Sequence, residues 1–111
     1  MLTDKAKQDF EAWLKCSEHG TKYNGSYVSI LGLTCPFSQL PLLVQHAYMI
    51  EFFDSVGFVL STKVVFTEEH LFCTDIITPQ TACLGLWGDS RKDSVILALE
   101  KANLIYNEKY K

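Results

Sequence analysis

The side chains that could do chemistry in this chain are three histidines and four cysteines, and their spacing favours no catalytic site. His46 lies on the apolar side of a predicted helix, but the position one turn later, where a second metal ligand would be needed, is Ile50. His70 follows Glu68 and Glu69, and a carboxylate beside an imidazole suits acid–base work near neutral pH. Neighbouring strand residues point to opposite faces, so we expect Glu69 and His70 to diverge. We therefore predict no catalytic residue, no metal ligand and no cofactor, and expect His46 to be a hydrogen-bonded histidine in or beside the core.

The cysteines show neither paired C-x-x-C spacing nor the ligand spacing of a zinc ribbon. The opening residues, MLTDKAKQDF, are charged and lack the apolar stretch of a secretion signal, so we expect a cytoplasmic protein in a reducing environment. In that environment all four cysteines are expected to be small buried hydrophobic residues, and a reactive thiol or a disulfide is the alternative: Cys16, Cys35, Cys73 and Cys83.

Length and composition predict one globular domain over residues 1–111. Apolar residues make up 48% of the chain and charged residues 21%, which excludes a disordered chain. The formal net charge of −3 gives no broad basic surface, and the acidic runs are too short for mimicry of DNA. We expect no direct binding of nucleic acid, although a local basic patch around Lys63, Arg91 and Lys92 keeps that function as an alternative.

The segment LPLLVQHAYMIEFFDSVGF, residues 40–58, is strongly apolar and predicts a central helix that ends at Gly57. It is not expected to span a membrane, because Glu51 and Asp54 would each cost roughly 2–3 kcal/mol or more near the middle of a bilayer. We expect no contact with membranes. Apolar residues and one histidine repeat at helical spacing and predict a mostly buried face: Leu42, Leu43, His46, Met49, Ile50, Phe53 and Val56.

The rest of the chain predicts an α+β fold. A helix after Thr3 is predicted at the start of the chain, with an apolar side formed by Ala6, Phe10, Trp13 and Leu14. A helix over about 91–108 is predicted at its end, with Ser90 as its cap and Asp93 completing a capping box. Alternating β-branched and aromatic residues predict three strands. An irregular arm that contains the turn signal Asn24-Gly25 predicts either one further strand or an extended segment. We expect a three-stranded or four-stranded antiparallel sheet packed against three helices, in the order α-(β)-α-β-β-β-α, with strands over residues 58–66, 70–77 and 81–87.

Aromatic residues could serve the core or a binding surface. Phe52 and Phe53 are adjacent on the central helix, so we expect only one of them to face the core squarely. Tyr23, Tyr27 and Phe37 cluster in the arm, where they would either cover the second side of the sheet or contact a protein partner.

Leu97 and Leu104 lie seven residues apart on the last predicted helix, on the side opposite its apolar stripe. Two leucines aligned on one exposed side predict a contact surface, for a second copy of the chain or for another protein. We call this pair the leucine ridge.

Two segments resemble a known group of proteins. The central segment is similar to the LPxxxQ…FFDSVG pattern of short accessory proteins from phages and prophages of Bacteroidetes-type bacteria. The sequence ALEKANLIYNEKY resembles the AIEKANEIYN tail of the same proteins, with Leu104 where a glutamate is usual. The resemblance covers about two thirds of the chain. It implies an origin in a mobile element and a place in the bacterial cytoplasm, but no activity that could be carried over.

Small proteins of mobile elements that lack catalytic motifs often bind and block a host machine, as anti-CRISPR proteins do. We therefore expect a non-catalytic protein-binding protein, most simply an inhibitor of a host defence nuclease that acts by steric occlusion. The leucine ridge with Tyr23, Tyr27 and Phe37 is the expected partner surface, and homodimer formation is included in that expectation. The alternatives are a small nucleic-acid-associated phage protein and a small enzyme with an unidentified cysteine or histidine.

Overall fold

The computed structural model describes residues 2–15, 22–24, 27–30, 33–65, 71–79 and 84–110. Its elements confirm the α+β class, the expected order of the three helices and the three strands that precede the last of them. No helix in these ranges is both long enough and apolar enough to cross a membrane. In chain order the elements are α1 (Asp4–Lys15), β1 (Lys22–Asn24), β2 (Tyr27–Ile30), β3 (Leu33–Pro36), α2 (Leu42–Ser55), β4 (Val59–Val64), β5 (Phe72–Ile77), β6 (Leu84–Gly88) and α3 (Arg91–Lys109).

The three strands predicted after the central helix form one antiparallel sheet in the order β4-β5-β6. Thr62 of β4 pairs with Thr74 of β5, which pairs with Leu86 of β6, so these three side chains share one face of the sheet. That face packs on the helices: Thr74 is fully buried, and its hydroxyl lies 2.9 Å from that of Ser94 in α3. The opposite face carries Lys63.

The arm between α1 and α2 contains a second sheet. Where the sequence predicts one strand at most, three short antiparallel strands pair in the order β1-β2-β3. The predicted turn at Asn24-Gly25 falls at the joint of β1 and β2, but Gly25 itself lies outside the described residues. Polar and small residues interrupt the alternation of apolar and polar residues in this arm. Periodicity alone therefore does not reveal the strands.

The core lies where α1, α2 and α3 meet the sheet. Phe52 and Phe53 are both buried, so the prediction that only one of them faces the core is wrong. Phe52 packs on Phe10 of α1 with ring centroids 5.6 Å apart, whereas Phe53 packs on Phe58 at 6.0 Å. Helix α2 is covered on two sides, and each ring therefore enters a different part of the same core.

The first turn of α2 is the exception to the predicted buried face. Leu42 is 49% exposed and Leu43 is 80% exposed, so the prediction that both belong to the core is wrong. His46, Met49 and Phe53 farther along the helix are buried as predicted. The predicted apolar side of α2 is therefore the side that faces the core. The first turn of the helix, however, extends beyond the elements that cover the later turns.

Two asparagines of α3 cap the start of α1. The Thr3 amide donates to Asn103 Oδ1 at 2.9 Å, and the Ala6 amide donates to Asn107 Oδ1 at 2.7 Å. The first amides of a helix have no partner inside it, so these contacts satisfy groups that would otherwise need water. Thr3, predicted as the capping residue, instead accepts hydrogen bonds from the side-chain amides of Asn103 and Asn107.

A second contact between the same helices joins Tyr106 to Asp9. The Tyr106 hydroxyl donates to Asp9 Oδ2 at 2.5 Å, and Lys5 Nζ lies 3.0 Å from Asp9 Oδ1. The hydrogen bond from Tyr106, followed by the contact with Lys5, holds the pKa of Asp9 below its ordinary value of 3.8, although burial opposes the shift. Burial and the same carboxylate raise the pKa of Tyr106.

The lowered pKa of Asp9 makes a prediction for acid stability. A carboxylate with a lower pKa in the folded state stabilises the fold above its unfolded-state pKa, and this contribution is lost as the pH falls through its folded pKa. Asp9→Asn should therefore lose about 1 kcal/mol near neutral pH, because the Asp9 side chain is 29% exposed and its charged hydrogen bond is partly screened. Urea unfolding at about pH 7, 5 and 3 should show that the difference in the free energy of unfolding between wild type and variant decreases as the pH falls.

Tyr106→Phe removes the hydroxyl without removing the ring and tests the same contact from the other side. Like Asp9→Asn, it should reduce the amount by which the free energy of unfolding falls as the pH is lowered. A difference between wild type and Asp9→Asn that stays constant over this pH range would show that the contact does not carry the effect.

Helix α3 starts against the end of the sheet. The Ser90 hydroxyl accepts the Asp93 amide at 3.1 Å, as the predicted cap requires. Gly88, two residues before the cap, lets the backbone of α3 approach β6 closely: a Cβ built on it would lie 2.6 Å from the Ser94 nitrogen. This close approach sets the position of the first turn of α3 relative to the sheet.

Candidate functional site

A groove of about 790 Å³ lies between α2, β4 and the first turn of α3. Its volume falls in the range of about 300–1,000 Å³ that is typical of small-molecule sites. The two exposed leucines of α2 form part of its wall. The apolar side chains that were predicted to be buried in the core therefore line the groove instead. The lining residues are Leu42, Leu43, His46, Ala47, Ile50, Thr62, Arg91, Lys92 and Val95.

His46 is the most unusual polar residue of the groove. Its side chain is 3% exposed, and its Nε2 is buried without a hydrogen-bond partner among the described residues. Burial lowers the pKa of His46, and the positive charge of Lys92 lowers it further. The imidazole is therefore neutral near pH 7 and carries one N–H donor and one acceptor nitrogen. The prediction of a core histidine is confirmed, but the expected hydrogen bond is absent from the part of the chain described.

The cationic residues of the groove come from the start of α3. Arg91 and Lys92 both line the groove. Their backbone amides lie in the first turn of α3, so no carbonyl inside the helix can accept a hydrogen bond from them. A helix of 19 residues also presents a partial positive charge at this end. The Arg91 guanidinium lies 5.7 Å from the ring centre of Phe72, a contact that limits where it can move.

A chain of hydrogen-bonded hydroxyls connects the walls of the groove. Thr62 Oγ1 lies 2.8 Å from Thr74 Oγ1, which lies 2.9 Å from Ser94 Oγ. Ser94 Oγ donates to the Arg91 carbonyl oxygen at 3.0 Å, so the chain runs from β4 through β5 to the first turn of α3. Because each hydroxyl has partners within the fold, the distance between the β4 wall and the α3 wall is fixed.

The opposite end of the groove is held at the start of α2. Gln45 donates from Nε2 to the Leu40 carbonyl oxygen at 2.8 Å and to the Ser38 carbonyl oxygen at 3.2 Å. These bonds hold the segment that leads into the helix, whose Pro41 cap makes no side-chain hydrogen bond. Leu42 and Leu43 are therefore presented by an anchored turn.

The leucine ridge is solvent-exposed and separate from this groove. Leu97 is 41% exposed and Leu104 is 61% exposed, as their helical phase predicts. Leu104 also borders a shallower depression of about 670 Å³ beside Phe58. The depression is bordered in addition by Thr78, Lys101, Ile105, Glu108 and Lys109.

Of the three arm residues predicted for the same partner surface, Phe37 lies elsewhere. Phe37 is half-buried, and its ring packs on that of Phe10 with centroids 5.5 Å apart. It lines a recess together with Phe10, a residue that does not border the depression beside Leu104. Tyr23 lies in β1 and Tyr27 in β2, and the side chains of both are outside the described residues. The structure thus places Phe37 and the leucine ridge at different sites.

The proposed basic patch is divided by the sheet. Lys63 is adjacent to Thr62 in β4 and so points to the other face, where its Nζ lies 3.2 Å from Asp75 Oδ2. Arg91 and Lys92 line the groove on the helix side. The three cations that motivated the nucleic-acid alternative therefore do not form one continuous surface.

The other candidates for chemistry give no site within the ranges described. Cys35 is half-buried and Cys73 is buried, and neither of these two forms a disulfide. Cys16, Cys83, His19, His70 and the pair Glu68-Glu69 lie outside the described residues. Across the described ranges, no group of three or more His, Cys, Asp or Glu residues is placed to hold a metal ion.

Comparisons with protein-family models, curated proteins and solved structures find no match for this chain.

Sequence reasoning missed the groove, although one signal was present. The pair Leu42-Leu43 directly follows Pro41, at the point where a helix begins and where neighbouring elements often stop covering it. The apolar content of the segment obscured this signal, because a buried helix and an apolar wall have the same composition.

Proposed function

We propose that this chain is a non-catalytic protein-binding accessory protein of phage or prophage origin that acts in the bacterial cytoplasm. Its target in this proposal is a host defence nuclease, which it inhibits by covering a functional surface. The observation that carries the proposal is the exposure of Leu97 and Leu104 on a helix whose other side is buried in the core. The resemblance to short phage proteins supplies the biological setting.

The energetics of the ridge are sufficient for such a role. Burial of a leucine contributes about 1.5–3 kcal/mol before the cost of association is subtracted. Two leucines at the centre of an interface of about 800 Å² per partner could thus supply a large part of a micromolar affinity. In the phage proteins that the chain resembles, a glutamate stands at the position of Leu104, and a glutamate there would keep that side of the helix hydrated.

A phage-protection experiment tests the proposal. Bacterial strains that each carry one defence nuclease system are challenged with phage while they express the wild-type chain or the variant Leu97→Glu/Leu104→Glu. The wild type should restore plaque formation in at least one strain, and the variant should lose at least tenfold of that protection. Both changes lie at exposed helical positions, so circular dichroism and thermal melting should show an intact fold.

The matched control is Gln8→Glu/Ala12→Glu. It adds the same two negative charges at two exposed positions of α1 and should protect as well as the wild type. Absence of protection in every strain would contradict the inhibitor proposal. Equal protection by the ridge variant and the control would show that the leucine ridge is not the surface that binds the target.

The nucleic-acid alternative predicts a different result. Binding through phosphate contacts weakens steeply as the salt concentration rises, whereas an apolar interface changes little. The division of Lys63 from Arg91 and Lys92 by the sheet favours the protein-binding proposal.

A further inference from the structure

We propose that the groove between α2, β4 and the first turn of α3 binds a small apolar carboxylate, a molecule with a hydrocarbon body and one anionic end. Its body would lie along the leucines of α2, and its carboxylate would face His46, Lys92 and the start of α3. The inference goes beyond the proposed function, because the groove and the leucine ridge share no residue.

The hydrocarbon part is assigned to the α2 wall. Leu42 and Leu43 are side by side and largely exposed, and Ala47, Ile50 and Val95 continue the same apolar lining. Apolar surface in a concave site is released from water when an apolar molecule enters it. The wall is held in place by the Gln45 contacts at the start of the helix, so the ligand meets a preformed surface.

The buried imidazole indicates a polar group in the ligand. Buried polar side chains almost always have a hydrogen-bond partner, and one that has none within the fold needs an explanation. His46 lines the groove, and its Nε2 lacks such a partner among the described residues. Because Nε2 itself has almost no surface open to solvent, a small rotation of the ring is needed to bring it to a ligand. A neutral imidazole protonated on Nε2 can then donate to a carboxylate oxygen.

The charges of the groove select an anion. Lys92 and Arg91 are its charged lining residues, and no acidic side chain lines it in the described part of the chain. Asp93 lies in the same helical turn but outside the lining, and its amide is already bonded to Ser90. The amides of Arg91 and Lys92 add donors and a partial positive charge at a helix start, an arrangement that favours anions. A carboxylate matches both the charge and the orphaned imidazole.

Titration with sodium decanoate below its micelle concentration tests the site. Calorimetry measures the affinity, and two-dimensional ¹⁵N NMR locates the binding. We expect saturable binding, with the largest shifts at the first two turns of α2, at Thr62 and at the first turn of α3. Decan-1-ol, which has the same chain without the charge, should bind at least tenfold more weakly, and decylamine should not bind.

Two variants with a matched control test the assigned residues. Lys92→Gln should weaken decanoate binding roughly three- to tenfold, the usual scale of one charged contact on a partly exposed surface. Leu43→Ser should weaken decanoate and decan-1-ol alike, and because Leu43 is 80% exposed the fold should be unaffected. Lys101→Gln removes an exposed lysine from the same helix, outside the groove, and should leave the affinity unchanged.

Three results would overturn the proposal. Equal affinity for decanoate and decan-1-ol would show that the groove does not recognise the anion. Shifts centred on Leu104 and Phe58 would place the binding in the other depression. Absence of saturation up to millimolar decanoate would show that the groove is not a site for this class. None of these results depends on phage protection, so this proposal and the proposed function can fail separately.

Discussion

Phe53→Ala should lower the free energy of unfolding by about 3–5 kcal/mol, the usual cost of truncating a large buried aromatic residue. The Phe53 side chain is fully buried, and its ring lies 5.3 Å from that of Phe52 and 6.3 Å from that of Tyr106. It also stacks on Phe58 at a centroid distance of 6.0 Å. The substitution removes one member of this aromatic cluster and leaves a cavity that close-packed neighbours can fill only in part.

Urea denaturation of wild type and variant measures this effect. Leu43→Ala is the matched control, because it truncates a large apolar residue of the same helix at an exposed position. It should change the free energy of unfolding by less than about 0.5 kcal/mol. Similar losses in the two variants would mean that α2 is not buried as described.

Gly88→Ala should destabilise the fold by about 1–3 kcal/mol through overpacking. An added Cβ would lie 2.6 Å from the Ser94 nitrogen, 3.0 Å from Ser94 Cα and 3.1 Å from the Asp93 carbonyl carbon. All three are backbone atoms of the first turns of α3, so no side-chain rotation can relieve the contact. The helix must move away from β6, and the hydroxyl chain from Thr62 to Ser94 would be strained with it.

Gly85→Ala, in the same strand, is the control for this substitution. Its added Cβ would meet side-chain atoms, namely Cys73 Sγ at 3.1 Å, Asp75 Oδ1 at 3.5 Å and Trp87 Nε1 at 3.5 Å. Side chains can adjust, so we expect a loss below about 1 kcal/mol. The prediction for Gly88 would be contradicted if thermal unfolding showed the alanine at position 85 to be the more destabilising of the two.

Local sequence signals predicted those parts of the fold that depend on local physics. The apolar spacing of Ala6, Phe10 and Leu14 identified the buried side of α1, and all three are buried. Ser90 and Asp93 marked the start of α3, where the expected capping bond is present. These features follow from helix geometry and from the amides of a first turn, so neighbouring elements do not alter them.

The features that sequence could not reveal depend on which elements meet. Burial of both Phe52 and Phe53 requires α2 to be covered from two sides, and exposure of Leu43 requires its first turn to extend past its neighbours. Neither fact is contained in a periodic pattern. The groove arises from the same placement, because His46, Thr62 and Lys92 lie far apart in the chain and share a surface only after the sheet and helices are assembled.

The asparagine contacts between α1 and α3 have a consequence for folding on the ribosome. Thr3 and Asn103 are 100 positions apart, so α1 cannot receive its caps until nearly all of the chain described here has been synthesised. The hairpins of β4, β5 and β6 close much shorter loops, so they can form before α3 has emerged. Until α3 emerges, the apolar side of α1, with Phe10 and Leu14, can be covered only in part, by Phe52 of α2. The nascent chain thus presents an amphipathic helix that chaperones can bind, and its docking against α3 is the last step to complete the core.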